Sequence, residues 1–150
     1  MKRSSVAAAL LAAMGLSGQA KPPKYVEGQV WEYRNRPQDA GSLLKVQRVG
    51  MMGAKKVYHI SVVGVHFATL GISGILPHIP VSDETLDASV TKLSAETRDF
   101  PTSALDEGIE EWRKAQGGVF TIPMSQIVDI IDEKTATTQM QAPAEPSGSR

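Results

Sequence analysis

Three histidines, a scatter of serines and sixteen acidic residues are the groups in this 150-residue chain that could do chemistry. His59, His66 and His78 are of the type that serves a metal centre or a general base. A shared site on one element needs a neighbour two residues away on a strand or four away on a helix, and none of the three has one. His59 and His66 are an odd number apart, so on an unbroken strand they face opposite sides, and a bulge at Gly64 would be needed to bring them to one face. Serines 61, 73, 82, 89, 94, 103 and 125 all lie outside a G-x-S-x-G elbow, and Ser82 and Ser103 already suit helix N-caps. Gly71-Ile72-Ser73-Gly74 is glycine-rich but lacks the lysine and following helix of a phosphate loop. The acids at 83, 84, 106, 107, 110 and 111 fall where helix N-termini and solvated helix faces favour them. The chain has no cysteine, which excludes thiolate metal sites, dithiol redox chemistry and cysteine nucleophiles. The expectation is a protein that is not an enzyme, with no catalytic, cofactor-binding or metal residues.

Contact chemistry is better represented. Trp31, Tyr33, Arg34 and Arg36 are of the types that dominate protein interfaces. A sheet must bury one face, so core packing is the favoured role for Trp31 and Tyr33, with a contact patch as the alternative. Met51 and Met52 stand between Gly50 and Gly53, where a loop tip would present two soft apolar side chains to a partner or tuck them under the sheet. His78 completes the set of possible contact residues. Trp112 falls on a helical stripe with Leu105 and Ile109 and reads as core.

The elements that must position these residues follow from periodicity. Residues 29–34, 43–49 and 56–63 alternate as strands, and residues 50–53 form a loop. Gly64 bulges or turns the chain into residues 65–70, a fourth strand or a continuation of the third. Residues 71–78 read as a flexible loop. The period then changes. After Ser82, Leu86, Val90 and Leu93 mark one helix, and residues 104–116, capped by Ser103 and ended by Gly117 and Gly118, mark a second. Residues 119–122 form a short strand, and Pro123 opens a last helix with Met124, Ile127, Val128 and Ile131 on one face. Strands followed by helices predict an α+β fold: an antiparallel sheet of about four to five strands with two to three helices packed on one face.

The ends of the chain carry different signals. Met1-Lys2-Arg3, the apolar run of residues 6–16 and the small residues Gly18 and Ala20 form the three parts of a secretory signal peptide, with cleavage expected after Ala20. The apolar run is far shorter than the roughly 20 residues of a membrane span, so a periplasmic or secreted protein with no stable membrane anchor is expected. Basic and acidic residues number 16 each, and losing Lys2 and Arg3 leaves the mature chain mildly acidic, with no electrostatic reason to bind nucleic acid. Residues 21–24 are an extended lead-in, residues 25–134 one domain, and residues 135–150, low in large apolar side chains, a disordered tail.

Four segments carry a resemblance: GQVWEYRNRP, KKVYHISVVGV, LPHIPVSDETLDASVTKL and EEWRKAQGGVFTIPMSQIVDII. They resemble a group of small bacterial proteins without an assigned activity, in which a W-E-Y-x-x-R-P strand and turn opens the domain. In that group a Y-H-I-S-V strand follows, then a helix after H-x-P-x-S, then a late E-E-W-R…G-V-F-T unit. The resemblance spans residues 28–132 and implies one domain there. It supplies no mechanism. The expected function is therefore an exported, non-enzymatic binding protein that contacts another envelope or secreted protein, with an inhibitor or immunity-type role as one form. A small-molecule or glycan binding module of the envelope, or a hydrolase without a recognised motif, is the alternative.

Overall fold

The structure, a computed structural model, describes residues 22–68 and 72–141. The expected export signal, residues 1–20, lies outside the described residues, as does the end of the chain beyond Gln141.

The fold is α+β. Five strands, β1 (Val30–Tyr33), β2 (Leu43–Met52), β3 (Lys55–Phe67), β4 (Ile72–Val81) and β5 (Val90–Leu93), form one antiparallel sheet in the order β4-β3-β2-β1-β5. Three helices accompany it: α1 (Asp83–Ser89), α2 (Ser103–Lys114) and α3 (Met124–Gln141).

Long alternating strands dictate the centre of the sheet. Tyr58, Ile60 and Val62 of β3 point to one side and are fully buried. At Gly64 an extra residue enters β3 between the pairs Val63↔Ile75 and Val65↔Gly74, and its φ of 78° is the left-handed conformation that glycine takes without a Cβ clash. The bulge resets the alternation, so Val65 and Phe67 rejoin the core on which Tyr58, Ile60 and Val62 lie. Leu86 of α1 and Met124, Ile127 and Val128 of α3 close that core. Ser82 caps α1 as expected, its hydroxyl accepting from the Thr85 amide at 3.4 Å.

The opposite face cannot be left to water, because Leu43, Val57 and Val63 point there and are buried. Helix α2 lies on that side, with Leu105 buried and Trp112 against His59. Helices therefore occupy both faces, two on one and one on the other, where packing on one face was expected. Gly108 lets α2 come close: a Cβ there would stand 2.7 Å from the His78 Cβ. Helix propensity alone would make Gly108→Ala stabilising by about 1 kcal/mol. The close approach reverses the sign, and chemical denaturation should show Gly108→Ala destabilised by about 1–2 kcal/mol.

Five elements differ from their sequence-based assignment. Residues 50–53 are not a loop: β2 runs to Met52, paired with Lys55, and the turn is Gly53-Ala54 alone. Gly53, with φ of 64°, supplies the positive φ that a two-residue hairpin needs at its first position. Residues 72–81 are an edge strand, where Pro77 and Pro80 are tolerated because an edge lacks one set of ladder bonds. Helix α1 stops at Ser89, and Val90 begins β5, which pairs with β1. Residues 119–122 contribute one parallel bridge, Val81↔Phe120, in place of a strand. Helix α3 also continues to Gln141, so the segment expected to be a tail from Thr135 starts as helix.

Candidate functional site

Side chains of interface type do not assemble into the aromatic and arginine patch that β1 suggested. Tyr33 is buried, its hydroxyl 2.7 Å from the Ser42 hydroxyl, and burial pushes its pKa up to about 12. Trp31 is half-buried against the core, donating from Nε1 to the Gln29 side-chain oxygen at 3.2 Å and meeting Tyr25 edge to face. Arg34 is exposed, its Nη1 on the Ala88 carbonyl at 3.0 Å.

Arg36 is a correction of a different kind, being only 6% exposed. Its Nε and Nη2 donate to the two carboxylate oxygens of Asp39, at 2.6 and 3.2 Å. Its Nη1 reaches Asp129 and Asp132 of α3 at 3.1 and 2.9 Å, and its Nη2 also donates to the His66 carbonyl. The Asp39 carboxylate holds the guanidinium pKa above its ordinary value. A single cation thus ties the Pro37–Asp39 turn, the end of β3 and helix α3 together. Its role is to hold the fold, and it is not available to a partner.

Met51 and Met52 remain free, at 63% and 45% exposure. Successive strand residues point to opposite faces, so exposure of both means that the hairpin tip projects beyond the cover on either side. Beside it the sheet is incomplete. Pairing of β3 with β4 ends at Tyr58↔Val81, whereas pairing with β2 continues to Lys55↔Met52. Among the described residues, no strand pairs with residues 55–57 on the β4 side. A cavity of about 460 Å³ opens there; Met52, Val57 and Val119 supply its apolar lining, and Lys55, Lys56 and Glu84 stand among its charged groups.

A second site lies under α2. Of the three histidines, His59 and His78 meet, although they are 19 residues apart. The regular register His59↔Pro80, Ile60↔Ile79 puts His78 two residues from the partner of His59, diagonally across on the same face. His59 Nδ1 stands 2.8 Å from His78 Nε2, and Trp112 closes over His59 edge to face with centroids 5.0 Å apart. Trp112 is half-buried, not a member of the main core, and its Nε1 donates to the Gly118 carbonyl at 2.9 Å. Burial, reinforced by His78, Arg113 and Arg48, lowers the His59 pKa to about 4, and burial lowers that of His78. Both imidazoles are neutral at pH 7. His66 is brought to the face of His59 by the Gly64 bulge but lies seven residues along the strand, roughly 20 Å away. Among the described residues, no group of three or more His, Cys, Asp or Glu side chains is arranged to hold a metal ion.

Sequence reasoning found the methionines and missed the histidine pair. The signal for the pair was obscured by reading residues 71–78 as a loop, which removed His78 from the sheet. The chain matches no protein-family model, no curated protein and no solved structure. What the sites do is therefore read from their own chemistry.

Proposed function

We propose that this chain is an exported, non-enzymatic binding protein that contacts an extended segment of another envelope or secreted protein at the open end of the β2–β3 hairpin. The observation that carries this reading is the pairing of two exposed methionines with an unpaired strand edge. Unpaired backbone groups of residues 55–57 offer hydrogen bonds to an incoming strand, the mode known as β-augmentation. Met52 offers the apolar contact beside it, and methionine adapts its shape to the side chain it meets. Lys55 and Lys56 stand beside Asp83 and Glu84, so the edge is of mixed charge, and lysines on a strand edge discourage self-association through it. Inhibition or neutralisation of a secreted enzyme is one form such binding takes.

Neither methionine is needed by the core, so binding and stability should separate. Met51→Ser with Met52→Ser should weaken partner binding by about 10–30-fold, the order expected from losing part of two buried apolar side chains. The midpoint of chemical unfolding should shift by under about 0.5 kcal/mol. Affinity capture from an envelope extract, run with both proteins in parallel, checks this. A protein recovered by the natural sequence and lost with the double variant supports the reading; identical recovery with both overturns it.

A further inference from the structure

The cleft beneath α2 contains a polar atom that the fold leaves uncommitted. His59 is 94% buried by its 6% exposure, and its Nδ1 is spent on His78. Its Nε2 lies 3.6 Å from where a Cβ at Gly50 would stand and has no partner among the described residues. No fully occluded side-chain nitrogen or oxygen among the described residues lacks a hydrogen bond, so Nε2 is reached from outside. The space that reaches it is a cavity of about 360 Å³ lined by Arg48, Gly50, His59, Asp106, Glu110 and Arg113 among others. That volume lies at the small end of ligand sites.

Its charges are of both signs and only partly satisfied. Arg48 on β2 pairs with Asp106 on α2 at 3.3 Å. Glu110 and Arg113, one helical turn apart on the same face of α2, have no ion pair among the described residues. One exposed carboxylate and one exposed guanidinium, neither in an ion pair among the described residues, therefore line the same small space as one buried imidazole nitrogen.

We propose that this cleft binds a small zwitterion of the α-amino-acid class, its carboxylate on Arg113, its ammonium on Glu110 and one polar atom on His59 Nε2. The site is separate from the hairpin tip, and the inference does not depend on the partner binding there. The histidine pair suits either group of the ligand. When His59 Nδ1–H donates to His78, Nε2 presents a lone pair to an ammonium; when His78 Nε2–H donates to His59, Nε2–H points to a carboxylate. At pH 7 neither imidazole adds a net charge, so the two ligand charges are matched by the two free side chains. Gly50 keeps the approach open. Its φ is not in the left-handed region and a Cβ there meets only an ordinary contact, so a larger side chain would enter the cleft without backbone strain.

The test is isothermal titration of the purified chain at pH 7 with each of the twenty common amino acids, alongside propionate and propylamine as single-charge controls. The expected result is at least one amino acid binding with a Kd below about 1 mM, at least tenfold tighter than either control, and moving the ¹⁵N resonance of His59 Nε2. Gly50→Leu and Glu110→Gln should each weaken that binding at least tenfold. Their melting temperatures should stay close to that of the natural sequence, which separates a blocked site from a damaged fold. No heat and no resonance shift with any amino acid at 10 mM would overturn the proposal. So would equal binding of propionate, or binding that persists unchanged in Gly50→Leu.

Discussion

Arg36→Met should lower folding stability by about 3–5 kcal/mol, the cost of removing one partner from a buried charge cluster. The magnitude follows from what would be stranded. Asp39 is 1% exposed, and Arg36 donates to both its oxygens. Asp132 is also buried and shares the same guanidinium. Some compensation remains, because the His66 amide donates to Asp39 at 2.8 Å and the Ala68 amide to Asp132 at 3.2 Å. Arg36→Lys should recover only part of the loss, since an ammonium cannot reproduce the planar fork that meets Asp39 with two nitrogens and α3 with a third. Removing charge from both sides, as in Arg36→Met with Asp39→Asn, should cost less than Arg36→Met alone. Guanidinium or urea titration of the four proteins checks the order, and a single-variant loss under about 1 kcal/mol would show the cluster to be energetically idle.

The second large effect is a loss of stability in mild acid. His59 has its pKa lowered to about 4 in the folded protein, against about 6.5 for an unperturbed histidine. Between those values the unfolded chain binds a proton that the folded chain refuses. Stability therefore rises with pH across that window and falls as pH drops from about 6.5 toward 4, levelling off once both states are protonated. The full effect is on the order of 3 kcal/mol, and the lowered pKa of His78 acts in the same direction. The carboxylates of Glu84 and Asp87, whose pKa values are lowered by hydrogen bonds from Ser82 and Tyr25 respectively, act at lower pH, below the ordinary carboxylate range. A stability–pH curve that loses most of its slope between pH 6.5 and 4 in His59→Gln, keeping only the part His78 supplies, identifies the His59 imidazole as the main source. An unchanged slope would place the titration elsewhere.

The two effects also show which parts of the molecule can be read from sequence. Alternation in residues 43–49 and 56–63 revealed the central strands, because burial on one face leaves a period of two that no other element produces. The last helix was equally plain from Met124, Ile127 and Val128. By contrast, Leu86, Val90 and Leu93 have helical spacing but the chain leaves the helix at Ser89, where β1 offers Val90 a strand partner. That is a tertiary choice overriding a local period. Residues 72–81 were hidden by Gly74, Pro77 and Pro80, which normally interrupt strands. Gly74 is required because a Cβ there would come within 2.6 Å of the Phe67 ring, and the prolines sit on an edge.

The site residues divide in the same way. Met51 and Met52 stood out because two adjacent apolar side chains flanked by glycines had no local packing role, and both are exposed. Arg36 lacked any such local sign of its fate. Asp39 is three residues away, but Asp129 and Asp132 are more than ninety residues further along the chain. The His59–His78 contact depends on the β3–β4 register, which pairs His59 with Pro80, and a periodic pattern does not encode which residues of two strands stand opposite each other.

Contact at the hairpin tip is the central claim, and position-specific crosslinking tests it most directly. A photoreactive amino acid placed at Met52, and as a control at exposed Thr91 on β5, would be activated in the producing cells. The account predicts one discrete adduct from position 52, absent from position 91, with amides of residues 55–57 in the isolated complex protected from hydrogen exchange. No adduct from position 52, or the same adducts from both positions, would contradict it.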